Sequence, residues 1–485
     1  MSRLIAGRAT MWSMADIGGR QAVQFVVTII LARLVAPADF GAIAIMLFFA
    51  SFGTTVIQSV ITTALIQFSA SDHRQESVIF WWVLATSGLL CMILIAASPT
   101  LAHFYRLPLL SQLMGVASAQ LMAMAFGVVP GALMTRSLRF ADLALAGLTA
   151  NILSGAFGIY LALRGYGVWA LAAQLVVAAL ASSVIVWLRS DWRPGLWFNP
   201  RFALPIFRFS AWLLPSNLLE LLYNQGFSLI VGRLHGAYQL GLFNRASNLQ
   251  QIPQNIIMQV VGRVSLPMFA QRRHDDDAMA NGLLGAIRLV MLFYAPLMMG
   301  IAACPRLLID VLFGKQWLSV APLLTILALA ALPFPVQMLN LQLLLATGRA
   351  DRFLQVEMKR KVIAIILVGG GSIVGLNGLA WSMALAAMIG LTISCGPTRR
   401  GFGLGVGRQV ANLGSILAAS GSMAMAIAGL VRWLPWPPLA SLTVAGLAGA
   451  TLYIVLCRIL KVVALHEAIE LAGQILASRR RPTMG

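Results

Sequence analysis

Residues Trp12–Gly41 read WSMADIGGRQAVQFVVTIILARLVAPADFG. The run is long and apolar enough to cross a hydrocarbon core of about 30 Å as one helix, and it closes in Arg33-Leu34 and a turn that reaches Gly41. An echo lies 200 residues further on, where Trp212–Gly241 read WLLPSNLLELLYNQGFSLIVGRLHGAYQLG. At that offset Trp12, Ile30, Arg33, Leu34 and Gly41 fall on Trp212, Ile230, Arg233, Leu234 and Gly241. The identities sit in matching context, an apolar helix ended by Arg-Leu and then a glycine, which marks a duplicated half. A second echo joins Arg136-x-x-Arg139-Phe140 to Arg349-x-x-Arg352-Phe353 at an offset of 213. The turn Gly165-Tyr-Gly167 resembles Gly375-Leu-Asn-Gly378 more loosely.

The whole chain shares the character of that first run. Of its 485 residues 59% are hydrophobic and 10% charged, with a mean hydropathy of +0.85, against an apolar share of about 45–50% in soluble domains. Apolar blocks of helix length recur at 12–36, 41–66, 78–102, 110–133, 143–163 and 166–188, then at 206–232, 240–268, 282–304, 319–346, 357–375 and 377–396, and finally at 410–431 and 438–460. The expected fold is all-α: a polytopic membrane protein of about fourteen transmembrane helices, in two pseudo-symmetric six-helix lobes plus two C-terminal helices. Residues 1–188 form the first lobe, 189–205 a linker, 206–396 the second lobe, and 397–485 the two extra helices and a basic tail. Six spans separate the copies, so both keep one orientation and their pseudo-twofold axis runs along the membrane normal.

A net charge of +20 would suggest nucleic acid in a soluble protein. Here the cations fall mostly in loops on the side of the termini, the other side holding only Arg33, Arg106, Arg164, Arg233, Arg306, Lys315 and Arg432. That asymmetry places both termini in the cytoplasm and speaks against a nucleic-acid partner. Arg3 and Arg8 resemble a signal n-region, but the run that follows is too long and too polar at its start, so the expectation is a retained first span. Cys91, Cys304, Cys395 and Cys457 have neither disulfide nor zinc spacing.

Polar residues inside the blocks locate the candidate site, because a charge at membrane depth costs at least about 2.5 kcal/mol and usually faces a cavity or a partner. Arg20, Arg245, Arg263 and Arg288 lie within blocks. Asp16, Arg20 and Gln24 recur every fourth residue and share one helix face; their echoes are Ser216, Glu220 and Asn224. In the eighth block Asn248, Gln251, Asn255, Gln259 and Arg263 follow at helical spacing around Pro253, a pattern foreign to a lipid-facing helix. The implied site is a hydrated cavity with a cationic floor for a phosphate or diphosphate, since arginine presents a fixed fork of donors to phosphate oxygens. Structural roles compete at each position. Asp16 and Arg20 can neutralise each other, Arg20 can pair with Glu220, Arg263 can snorkel, and the amides can join helices. Asp16 and Glu220 are the candidates for ion coupling. No catalytic constellation, phosphate loop, cofactor motif or metal-ligand spacing stands out; Asp275, Asp276 and Asp277 sit beside Arg272 and Arg273 as a solvated loop.

At LARLVAPADFGAIAI (Leu31–Ile45), TALIQ (Thr63–Gln67), GYGVWAL (Gly165–Leu171) and LFGKQW (Leu312–Trp317) the chain resembles Wzx-type polysaccharide and O-antigen flippases, the colanic-acid or exopolysaccharide exporter branch of the multidrug/oligosaccharidyl-lipid/polysaccharide exporter superfamily. The resemblance implies translocation of an undecaprenyl-diphosphate-linked oligosaccharide by alternating access of two six-helix lobes, in the company of membrane lipids and of polymerase and export proteins. Two rival readings follow from the same sequence. Efflux of drugs or organic cations would favour an acidic cavity, whereas this one is net cationic. A polymerase, ligase or glycosyltransferase would need a sizeable outer loop bearing carboxylates or histidines, and the outer loops are short.

Overall fold

A computed structural model describes residues 19–67, 73–197, 200–270, 275–433 and 436–470. Among them the chain is helical and contains no strand. Helix α1 spans residues 19–34, followed by α2 (Pro37–Gln67), α3 (His73–Phe104), α4 (Leu109–Arg136), α5 (Phe140–Leu163) and α6 (Val168–Arg189). Next comes α7 (Pro200–Ala270), which Gly236 divides into two limbs: its φ of 79° and ψ of 174° interrupt the helix in a region that favours a residue without Cβ. Then follow α8 (Asp276–Ala303), α9 (Pro305–Leu312), a 3₁₀ turn (Lys315–Val320), α10 (Ala321–Ala331), α11 (Phe334–Ala346), α12 (Ala350–Ile373), α13 (Leu376–Phe402), α14 (Val406–Ala411), α15 (Gly414–Trp433), α16 (Pro438–Ile459) and α17 at residues 463–470. Among the described residues 10 segments are long and apolar enough to cross a membrane, and the protein is a multi-pass helical membrane protein. The other expected blocks fall on α1, the two limbs of α7, and α12, whose first half carries Asp351, Arg352, Glu357, Lys359, Arg360 and Lys361.

The chain groups into two compact units that divide between Asn244 and Arg245, within the second limb of α7. One crossing explains why the first limb and its turn group with the N-terminal helices. Gly41 of α2 and Gly241 of α7 pack so closely that a Cβ on Gly41 would meet the Ala237 carbonyl, and one on Gly241 the Pro37 carbonyl. The two glycines related by the 200-residue echo thus cross each other, as small residues do where membrane helices approach most closely.

Elsewhere in unit 1, α4 packs on α2, α3 and α6, and α5 on α6. Ile57, Phe80, Val83, Leu121 and Val129 form a buried core, with Trp187 and Trp192 packed against it. At one end of the α5–α6 hairpin, Asp142 binds Arg139 Nε at 2.9 Å and Arg189 Nη1 at 3.1 Å, and Arg139 Nη1 reaches Asp191 at 3.0 Å. The Asp142 hydrogen bond raises the Arg139 guanidinium above its usual range.

In unit 2, α8 packs on α10 and α15, α13 on α10, α11 and α12, and α15 on α16. Its core combines Leu283, Ile287, Met291, Tyr294, Leu339, Ile416 and Cys457. A fully buried polar knot holds α11, α13 and α14: Asn340 Nδ2 donates to Gln409 Oε1 at 2.8 Å, Thr398 Oγ1 donates to Asn340 Oδ1 at 2.7 Å, and Gln409 Nε2 donates to the Leu404 carbonyl at 2.9 Å. Buried amides are tolerated because these donors and acceptors satisfy one another.

Candidate functional site

Of the expected charges, Asp16 lies outside the described residues. Arg20, on α1, is half-buried against α5: Nη2 donates to the Leu143 carbonyl at 2.9 Å, and the guanidinium rests where Gly147 has no side chain. Gln24 is exposed on the next turn of α1, as are Glu220 and Asn224 on the first limb of α7. The echoed stripes in unit 1 are therefore accessible polar faces on apolar helices, with Arg20 anchored at the edge of one.

The second limb of α7 carries the amide stripe in unit 2. Asn248, Gln251, Asn255 and Gln259 are all exposed, whereas Leu249, Gln250 and Pro253 beside them are buried. Four carboxamides on one accessible face of a membrane helix describe a surface in contact with water or with a polar ligand, because lipid cannot satisfy their donors and acceptors. The side chain of Arg263, next along the stripe, is outside the described residues.

Arg245 and Arg288 meet partners within unit 2. Arg245 is buried at 8% exposure, its guanidinium 5.6 Å from the Phe313 ring centroid and 5.5 Å from that of Trp317. Both rings belong to the LFGKQW stretch, so aromatic faces hold the cation out of water. Arg288 Nη2 pairs with Glu467 at 2.6 Å and Nη1 donates to Asn412 Oδ1 at 2.9 Å, linking α8 to α17 and to the residue that follows α14. Their sequence positions inside apolar blocks identified them as unusual; only the packing shows that rings and a distant carboxylate absorb them.

Sequence reading missed a second feature of unit 2. An apolar groove of about 680 Å³ lies among α8, α9, α15, α16 and α17, lined by residues such as Leu292, Pro296, Gly300, Met423, Gly446 and Ile454. Its signal is present in the sequence as the run Ala445-Gly446 and Gly449-Ala450 on α16, small residues that leave space beside neighbouring helices. Tyr453 closes one wall by donating to the Leu292 carbonyl at 2.8 Å. Among the described residues no group of three His, Cys, Asp or Glu side chains could hold a metal ion.

Residues 30–322 match the family described as "Polysaccharide biosynthesis protein". The chain is similar to the succinoglycan biosynthesis transport protein ExoT of Rhizobium meliloti (strain 1021), 28% identical over 319 residues that cover 66% of this chain and 65% of the relative. It is also similar to the teichuronic acid biosynthesis protein TuaB of Bacillus subtilis (strain 168), 30% identical over 305 residues that cover 62% of each chain. Each of these matches spans a little under two thirds of the relative's length. The fold is similar to that of a solved structure of the lipid II flippase MurJ in an inward closed conformation, with a TM-score of 0.73 at 15% identity over 93% of this chain and 98% of that one.

Proposed function

Because the chain belongs to the polysaccharide biosynthesis protein family, we propose that it is a flippase that carries an undecaprenyl-diphosphate-linked oligosaccharide repeat unit from the cytoplasmic to the outer leaflet of a bacterial inner membrane, for exopolysaccharide, capsule or O-antigen assembly. The observation that carries this reading is the exposed amide face Asn248, Gln251, Asn255 and Gln259. Carboxamides offer both donors and acceptors to sugar hydroxyls, and no lipid-facing role explains them. Gln24 and Asn224 extend the same chemistry in unit 1. Arg20 and Arg263 are the cations assigned to the diphosphate, while Arg245 and Arg288 act through the helices that they hold in place. Asp16 and Glu220 are assigned to ion coupling. The apolar groove of unit 2 suits a polyprenyl tail, which needs apolar surface and no hydrogen bonds.

The cycle is alternating access between the two six-helix lobes, each state favoured by the leaflet from which substrate binds. A reconstituted assay tests it. Proteoliposomes should move a labelled undecaprenyl-diphosphate oligosaccharide between leaflets without change in its mass; an altered mass would indicate catalysis, and transport of organic cations in place of the glycolipid would overturn the assignment of the cationic site.

A further inference from the structure

The hairpins α5–α6 and α12–α13 occupy corresponding places in the duplicated halves, and their ends differ in one decisive residue. Arg139 and Arg352 are the echoed arginines at the head of α5 and α12. Arg189 and Arg400 each stand 22 residues beyond the second glycine of the intervening turn, Gly167 and Gly378. In unit 1 Asp142, three residues past Arg139, binds both arginines of its hairpin. The position three residues past Arg352 is Gln355. Unit 2 therefore keeps both cations and lacks the carboxylate that neutralises them.

In place of that carboxylate there is space. Arg352, Gln355, Lys359, Thr392, Gly396 and Arg400 line a groove of about 510 Å³ between α12 and α13. The spacing on each helix is that of one face: 352, 355 and 359 on α12, 392, 396 and 400 on α13. A Cβ at Gly396 would meet nothing within 4 Å, so the groove reaches the backbone of α13. Asp351 also lines it, yet among the described residues no ion pair joins Asp351 to any of the three cations. The other carboxylate of this helix, Glu357, is engaged elsewhere, by Arg360 at 3.2 Å and Lys361 at 3.7 Å.

From these observations we infer that the α12–α13 groove binds the phosphate headgroup of an anionic phospholipid, which takes the place that Asp142 fills in the first half. Arginine forks, the Lys359 ammonium, the Gln355 amide and the Thr392 hydroxyl are donors matched to phosphate oxygens. The groove lies on the side that the charge asymmetry assigns to the cytoplasm, where basic pockets between transmembrane helices meet anionic headgroups. A lipid is favoured over a soluble anion because Leu354 and Met358, next to Gln355 and Lys359, are 60% and 52% exposed and present an apolar face beside the groove. α12 packs on α13 and on α11, and Val362, Ile365 and Ile366 further along it are exposed as well, an apolar side suited to the bilayer.

The test uses the purified full chain, with lipid retention read by native mass spectrometry and melting temperature read after addition of phosphatidylcholine, cardiolipin or inorganic phosphate. Cardiolipin should be retained and raise the melting temperature, and phosphatidylcholine should not. Arg352→Ala with Arg400→Ala should weaken cardiolipin binding at least about tenfold, or about 1.4 kcal/mol. Gln355→Asp supplies within unit 2 the carboxylate that Asp142 supplies in unit 1; it should keep the lipid-free melting temperature and lose the cardiolipin response. If the double variant fails to fold, Gln355→Asp decides alone. Unchanged cardiolipin binding in Gln355→Asp overturns the site, and an equal response to inorganic phosphate overturns the lipid as its occupant.

Discussion

At the scale of single residues, the intramembrane arginines separate by what surrounds them. Arg20 lies over Gly147 and donates to the Leu143 carbonyl, so a side chain at 147 must displace its guanidinium. Arg20→Ala should abolish polysaccharide export at unchanged protein level, measured by immunoblot and surface glycan, and Gly147→Val should reproduce the defect with Arg20 still present. Normal export in the Arg20→Ala strain would remove Arg20 from the mechanism. Asn340 makes the opposite case, a polar residue whose role ends at its neighbours. Asn340→Leu leaves Gln409 and Thr398 short of partners at full burial, a cost of about 2–3 kcal/mol, visible as a lower melting temperature in detergent. In the sequence Arg20 stands out as a charge within an apolar block, whereas Asn340 is one amide within the block at 319–346. The sequence could not rank them, because whether a buried polar atom is satisfied depends on chain segments far away.

At the scale of elements, the helices follow from composition, and the closest approaches follow from glycine. Among the described residues the apolar blocks fall largely on helix, since a backbone in lipid must satisfy its own hydrogen bonds. The α2–α7 crossing was latent in the echo of Gly41 and Gly241, though the repeat alone did not say that the copies touch. Gly41→Val or Gly241→Val sets a side chain against a carbonyl that cannot move aside, and should cut the yield of folded protein in size-exclusion chromatography. A valine at Gly429, where a Cβ meets nothing within 4 Å, should be tolerated. Asp142→Asn removes the carboxylate shared by Arg139 and Arg189 at the end of the α5–α6 hairpin. As the pairs are partly exposed, the loss should be about 1 kcal/mol, seen as a small drop in melting temperature that high salt diminishes.

At the scale of the whole molecule, deletion of the gene should cause one undecaprenyl-diphosphate glycolipid to accumulate, and mass spectrometry of that lipid would name the glycan. Accumulation of a chemically altered lipid intermediate would point to a missing catalytic step. The sequence by itself determined the solvent of this protein and its helical class, because hydropathy and the period of an apolar block are local properties that survive without any tertiary contact. It also marked the amide stripe of α7, since a row of Asn and Gln at helical spacing is legible in one helix. Only the tertiary structure decided which charges are spent inside the protein. Arg245 packs against two rings, Arg288 pairs with a carboxylate 179 residues away, and Arg352 and Arg400 are left beside Gln355, where their counterparts in the first half share Asp142. A charge is neutralised or available according to what lies within a few ångströms of it, and that distance is set by packing between helices that the sequence places far apart.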